Sequence, residues 1–305
     1  MDGKYINLQT DFGFKKIFGS DCNKDLLISL LKALIPERQD IKDIKYLNTE
    51  YQGDTFVDRR AIFDVYCESE AGDHFIVEMQ NASQAYFKDR SVFYSTFPIR
   101  NQAPKGYWDF KLSNVYTIGL LNFEMDDDSA DPDEVRHEVK LMNTRTKRVF
   151  YDKLTLIYVI IPRFRKTEGQ LESLFDKWMF VLKNMSELMS RPERLQERVF
   201  KRLFQAAEIA AYSPEELNCY FIELGQKLGA ERLAAAAKAF GLGQSITLAP
   251  GLQSDAASLP GAAQLQNAGD LALFSFGQGA LTATPLQIAA MTAICSCSGV
   301  AGLSG

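Results

Sequence analysis

The 305-residue chain reads as an α/β protein, a mixed sheet flanked by helices, followed by a mostly helical or irregular C-terminal segment. Three observations predict this. "SNVYTIGLLNF" and "LTLIYVIIPRF" are short, apolar and β-branched, as strands buried on both faces are. They are accompanied by runs whose apolar residues recur at helical spacing, the pattern of helices laid on a sheet. Charge then thins abruptly. Only Glu223, Lys227, Glu231, Arg232, Lys238, Asp255 and Asp270 follow Tyr220, which leaves 66 of the 73 charged residues in the first 220.

In chain order, "DFGFKKIFGS" and "NKDLLISLLKALIP" predict two short helices. The second carries Leu26, Leu27, Leu30, Leu31 and Leu34 at helical spacing and stops at Pro36. Residues 46–51 predict a short strand. "RRAIFDVYCES" and "HFIVEMQ" predict a hairpin about the turn "EAGD". "QAYFKDRSVFYSTFPIRNQ" spaces Tyr86, Phe87, Arg90 and Tyr94 as a helix does. The two apolar strands follow, separated by an acidic loop, "EMDDDSADPDE", and a more polar strand, "VRHEVKLMN". "EGQLESLFDKWMFVLKNMSEL" and "PERLQERVFKRLFQAAEIAAY" predict amphipathic helices. The second has proline near its start and Leu195, Val199, Leu203 and Phe204 on one face.

Hydrophobic content of 46% and charged content of 24% are those of a soluble globular protein. A net charge of −5 excludes a global basic field, so any phosphate-binding site needs a local basic patch. Cys22, Cys67, Cys219, Cys295 and Cys297 form no CxxC and no paired framework, which predicts free thiols and a cytoplasmic location. The start "MDGKYINLQTDF" lacks the apolar core of a signal peptide. No window of about 18 apolar residues predicts a membrane span. His74 and His137 have no companion at ligand spacing, which argues against zinc. The acidic loop lacks the Gly and closing Glu of an EF-hand.

The hairpin carries the chemistry. Strand side chains alternate, so Ile62, Asp64 and Tyr66 share one face, and Ile76, Glu78 and Gln80 one face of the partner strand. Phe63, Val65, Phe75 and Val77 are expected to bury the other face. A turn at Ala71 and Gly72 brings Asp64 close to opposite Glu78. Adjacent carboxylates repel unless a cation lies between them or one takes a proton. Oxygen donors of this kind suit Mg²⁺ or Mn²⁺. Two other readings stand beside this one: a solvent-facing hairpin with scattered acids, and a structural ion pair of Glu78 with Arg60 or Arg90. Tyr86 and Phe87 read as core. Lys15 and Lys16 fit either a phosphate contact or a solvated helix face.

The order "TDFGFKKIFG", "FDVYC", "VEMQNAS" and an aromatic helix bearing Arg90 resembles the PD-(D/E)XK nuclease superfamily. More closely it resembles the Rpn-type recombination-promoting nuclease, or transposase, group, over residues 4–217. The resemblance implies a restriction-endonuclease-like domain over residues 1–217 and metal-dependent hydrolysis of DNA phosphodiesters, with Mg²⁺ or Mn²⁺ as cofactor. It carries the metal ligands onto Asp64 and Glu78, with the Met79 carbonyl as a third, and adds Asp11 as a helix-borne contributor. Gln80 stands where a commoner variant has Lys, and it can orient water or phosphate without carrying charge. Arg90, Lys15 and Lys16 become candidate DNA contacts. The implied partner is double-stranded DNA, a homodimer is compatible with it, and no membrane is expected. The alternative is a non-catalytic DNA-binding accessory protein of mobile elements.

The tail carries a second resemblance. "YFIELGQKLGAERLAAAAKAFGLGQ" and "SFGQGALTATPLQIAAMTAI" resemble the transpeptidase domain of penicillin-binding proteins, over residues 218–294. The Ala-rich stretch 230–240 predicts a helix ended by Gly241, and Thr284–Pro285 predicts the opening of another. Residues 218–305 hold neither S-x-x-K nor K-T-G, and Glu216 stands at the serine of the S-x-N position that ends in Asn218. The expectation is an inactive, loosely packed fragment. A switch of text without a linker is the pattern of a chimeric or misassembled gene. A fusion in which the tail serves as an interaction surface is the alternative.

Overall fold

The computed structural model describes residues 4–51, 61–82, 86–104, 106–125, 131–249, 252–275 and 277–289. The chain divides into two compact units, Met1–Ala211 and Tyr212–Gly305.

The first unit opens with helices α1 (Asp11–Phe18) and α2 (Lys24–Leu34), then strands β1 (Ile44–Tyr46), β2 (Glu50–Tyr51) and β3 (Ala61–Ile62). The hairpin β4 (Val65–Ser69) and β5 (His74–Gln80) follows, then α3 (Phe87–Asn101) and β6 (Val115–Leu121). A second hairpin, β7 (Arg136–Asn143) and β8 (Arg148–Ile160), precedes α4 (Leu174–Asn184) and α5 (Arg198–Ala206). Six strands form one sheet in the order β1-β4-β5-β6-β8-β7, while β2 and β3 make a separate ribbon. β5, β6 and β8 run parallel and the outer pairings are antiparallel, so the sheet is mixed. Parallel neighbours need a crossover, and α3 supplies it between β5 and β6.

All seven residues of β6 are buried, as a central strand covered on both faces must be. On one face α3 lies close because Gly119 has no side chain. A Cβ there would stand 3.0 Å from Phe87 Cζ. Phe87 packs with Leu121, Leu156, Tyr158 and Ile160. The remaining helices are knit by Trp178, whose ring meets Phe18 at 5.7 Å and Phe200 at 5.1 Å, and whose indole N–H donates to Ser29 Oγ at 3.0 Å.

Four expectations change. The stretch 46–51 divides between β1 and β2, which belong to different sheets. The helix expected from Pro192 begins only at Arg198, because local hydrogen bonds hold the preceding turn. Leu195 N and Gln196 Nε2 both donate to the Pro192 carbonyl. Strand β8 starts at Arg148, six residues before the apolar run, because β7 pairs with it there. Tyr86 is 80% exposed in a left-handed conformation just before α3, so only Phe87 of that pair is core.

The second unit is mostly helical. α6 (Pro214–Ala239) begins with a capping box between Ser213 and Glu216, kinks at Gly229, and passes residues 217–218 as continuous helix. Gly241, at φ +83°, follows its end. A small ribbon, β9 (Thr247–Ala249) and β10 (Leu252–Gln253), and helix α7 (Ala268–Ser275) follow. The helical turn at residues 285–289 opens with reciprocal bonds between Thr284 and Gln287. Gln287 is 1% exposed, and its amide also donates to the carbonyls of Gln244 and Ala256. Cys295 and Cys297 lie outside the described residues.

Candidate active site

The site is set by a turn and a bend. Gly72, at φ +82°, takes left-handed backbone that other residues avoid, and closes the hairpin between β4 and β5. Its register pairs Val65 with Val77, so one further step sets Asp64 opposite Glu78. At Phe63–Asp64 the backbone leaves the strand, between β3 and β4. Phe63 therefore turns to the side of Tyr66 and Ile76, where it meets Tyr94 and Phe97 of α3. That corrects the expectation of Phe63 on the opposite face. With the ladder interrupted, Asp64 N donates to Glu78 Oε1 at 3.1 Å and Met79 N donates to Asp64 Oδ2 at 2.8 Å. Each carboxylate is thus fastened by the backbone of the other's strand.

The hairpin is not solvent-facing here. Glu78 is 6% exposed and the Asp64 side chain 13%. Burial, with the Asp64 charge second, pushes the Glu78 carboxyl up to about 8 against the opposing Asp64 N–H, Arg90 and Lys15. Burial likewise pushes Asp64 up to about 6, outweighing the Met79 N–H and Lys15, with Asp11 adding to the rise. The two carboxyl groups therefore share their protons as a pair near neutral pH.

Helix α1 brings two more charges. Thr10 caps it by accepting from Gly13 N at 2.9 Å, which fixes Asp11 in its first turn. Lys15 Nζ stands 2.6 Å from Asp11 Oδ1 and 3.4 Å from Asp64 Oδ1. Burial lowers the Lys15 pKa, but Asp11 and Asp64 together hold it above its usual value. Lys16 is turned about 100° round the helix from Lys15. Gln80 Nε2 donates to Glu78 Oε2 at 3.3 Å. Met79 directs its N–H at Asp64, and a strand residue's carbonyl points the same way, so the Met79 carbonyl faces the site rather than β6. Arg90 lies over the rings of Phe87 and Tyr94, at 5.4 and 5.5 Å, with its charge felt at Glu78. Arg60, the other expected partner of Glu78, lies outside the described residues.

A cleft of about 450 Å³ opens beside the pair, lined among others by Lys15, Tyr46, Thr49, Ile62 and Asp64. Tyr46 is fixed there by donating to the Phe18 carbonyl at 2.7 Å. Asn81, which sequence reasoning did not single out, donates through Nδ2 to the Gln9 carbonyl and ties the end of β5 to the loop before α1. No sequence signal marks that contact. The two histidines stand apart: His74 faces Tyr66 Oη, and His137 lies by Glu134 and Arg163.

The donor set fits a small hard cation. Each carboxylate spends one oxygen on a backbone N–H and turns the other toward Lys15 or Gln80. Two such oxygens and a carbonyl leave room for waters, as Mg²⁺ and Mn²⁺ sites do. Among the described residues no group of three or more His, Cys, Asp or Glu is arranged to hold a metal, so a richer cage is absent from them. No described helix is long and apolar enough to cross a membrane.

Residues 8–233 match the family model described as PD-(D/E)XK nuclease family transposase. The chain belongs to this family. Its mixed sheet with flanking helices is the restriction-endonuclease-like α/β fold, and membership supports a function of the nuclease or transposase type. Residues 186–300 match the penicillin binding protein transpeptidase domain, so the two matches overlap over residues 186–233. No curated protein and no solved structure matches the chain.

Proposed function

We propose that the first unit is a divalent-metal-dependent DNA endonuclease of the recombination-promoting type. The observation that carries this reading is the buried Asp64–Glu78 pair, cross-tied by backbone N–H groups and met by Lys15, in a chain of the nuclease family. Asp64 and Glu78 would hold Mg²⁺ or Mn²⁺ with the Met79 carbonyl. When bound, the metal supplies a water of lowered pKa and offsets charge on the scissile phosphate.

The remaining work falls to the chain's own groups. Gln80 beside Glu78 orients a water or a phosphate oxygen by hydrogen bonding, but it carries no charge. Lys15 brings that missing charge from α1 and sits at the wall of the cleft, where a phosphate would meet it. Asp11 holds Lys15 in place. Arg90, lying over the Phe87 and Tyr94 rings, offsets the negative charge of Glu78. The substrate is double-stranded DNA and the location the cytoplasm. The second unit carries no S-x-x-K serine, so acyl transfer has no part in this reading.

The test is nicking of supercoiled plasmid in Mg²⁺, Mn²⁺ or EDTA by the whole chain and by Asp64→Ala. Metal-dependent nicking that disappears in Asp64→Ala supports the reading. Metal-independent DNA binding without cleavage by a folded wild type would replace it with the non-catalytic accessory protein.

A further inference from the structure

The β7–β8 hairpin reaches beyond the sheet. β6 pairs with β8 only from Leu154 onward, so residues Arg148–Lys153 and their β7 partners form a free two-stranded arm. Six strand residues span roughly 20 Å. Every residue from Leu141 to Phe150 is exposed on both strands and in the turn, so nothing described in this unit packs on either face. Its turn is closed by hydrogen bonds. Asn143 Oδ1 accepts from Arg145 N and Thr146 N, both at 3.0 Å, and Lys147 N donates to the Asn143 carbonyl at 2.8 Å.

Its charge opposes that of the protein. Lys140, Arg145, Lys147, Arg148 and Lys153 against Asp152 give +4 between residues 139 and 153, in a chain of net −5. Lys140 is paired with Glu138, and Lys153 donates to the Leu112 carbonyl. Arg145, Lys147 and Arg148, at the tip, have no carboxylate partner among the described residues. Beside them Phe150 is 80% exposed. A structure that carries three unneutralised cations on a narrow ribbon is matched to a regular array of anions.

We propose that this arm is a second DNA-contacting element, inserting its cationic tip into a groove of duplex DNA. The proposal rests on duplex DNA being the partner of this protein. The major groove, about 12 Å wide, admits a two-stranded ribbon, whereas the deep groove of double-stranded RNA does not. The arm lies at the opposite end of the sheet from Glu78, since Glu78, Gly119 and Tyr158 are level and Arg148 precedes Tyr158 by ten residues. That is roughly 33 Å of strand, so tip variants leave the carboxylate pair untouched.

The test measures binding of the full chain to a fluorescent 20-base-pair duplex, in EDTA and across a salt series. The variant is Arg145→Ala/Lys147→Gly/Arg148→Ala, with glycine chosen because Lys147 has φ +55°. Binding is expected to weaken tenfold or more, with the slope of log affinity against log salt falling by about 2.7 for three lost phosphate contacts. Arg145→Lys/Arg148→Lys is expected to retain binding. If the wild type binds and the triple variant binds with the same affinity and slope, the arm proposal falls while DNA as partner stands. If the folded wild type does not bind duplex at all, both fall. Sedimentation as a dimer that Phe150→Lys dissociates, with duplex affinity unchanged in that variant, would overturn the proposal and give the arm to a second copy of the chain.

Discussion

Replacing Glu78 with Gln should stabilise the metal-free protein, and the size of the gain follows from the site. The Glu78 carboxyl rises from 4.5 to about 8 on folding, because it is buried beside Asp64. At pH 7 it must be held protonated about 2.5 units above its ordinary value, which at 1.36 kcal/mol per unit costs about 3 kcal/mol. Because the folded pKa is raised, the stability is fully present below about pH 4.5 and is lost as pH rises through about 8. Glu78→Gln removes the ionisation and keeps an oxygen that accepts from Asp64 N. In EDTA it should melt roughly 6–12 °C above the wild type at pH 7, at 2–4 °C per kcal/mol for a unit of this size. Near pH 4.5 the difference should vanish. Tryptophan fluorescence is the readout, since Trp108 and Trp178 both lie in the first unit. Equal or lower stability of Glu78→Gln at pH 7, or a wild type without this pH slope, would mean that folding does not hold Glu78 protonated.

Lys15→Met should cut plasmid nicking by roughly a hundredfold, about 3 kcal/mol of barrier, while leaving the fold intact. Adding Gln80→Lys to it should restore part of that rate, because the charge returns to the opposite side of the pair. Gly119→Ala should cost about 1–3 kcal/mol in urea unfolding, since its Cβ would press on Phe87. Asp73→Ala should cost about 3–5 kcal/mol, because it strips a buried partner from Arg38 and breaks hydrogen bonds to Asn114 N and Nδ2.

The order of elements was legible because each carries its own period. The Leu spacing of α2, the unbroken apolar runs of β6 and β8, and the Gly-bearing turn before β5 are local signals. The Asp64–Glu78 pairing was legible for the same reason, since the register follows from a short turn. What escaped depends on tertiary contacts. Nothing in "RRAIFDVYC" marks the bend at Phe63, which arises where β3 pairs with β2 in another sheet. Lys15 was readable as a phosphate contact, but its ion pair with Asp64 needs α1 and the bend to meet. Asn81 and Gln9 are 72 residues apart and neutral, so no pattern joins them. The β7–β8 arm was hidden because "NTRTKR" looks like any polar loop until the strands flanking it are seen to outrun the sheet.

If Asp64 and Glu78 form the proposed cation site, the pair holds a proton while the cation is away. Calorimetric titration of Mn²⁺ into the whole chain, in buffers of different ionisation enthalpy, reads both the ion and the proton. One ion should bind per chain with release of nearly one proton at pH 7 and almost none at pH 9, and Asp64→Ala should abolish the binding. Binding that persists in Asp64→Ala, or that releases no proton at pH 7, would mean that the pair is not the cation site.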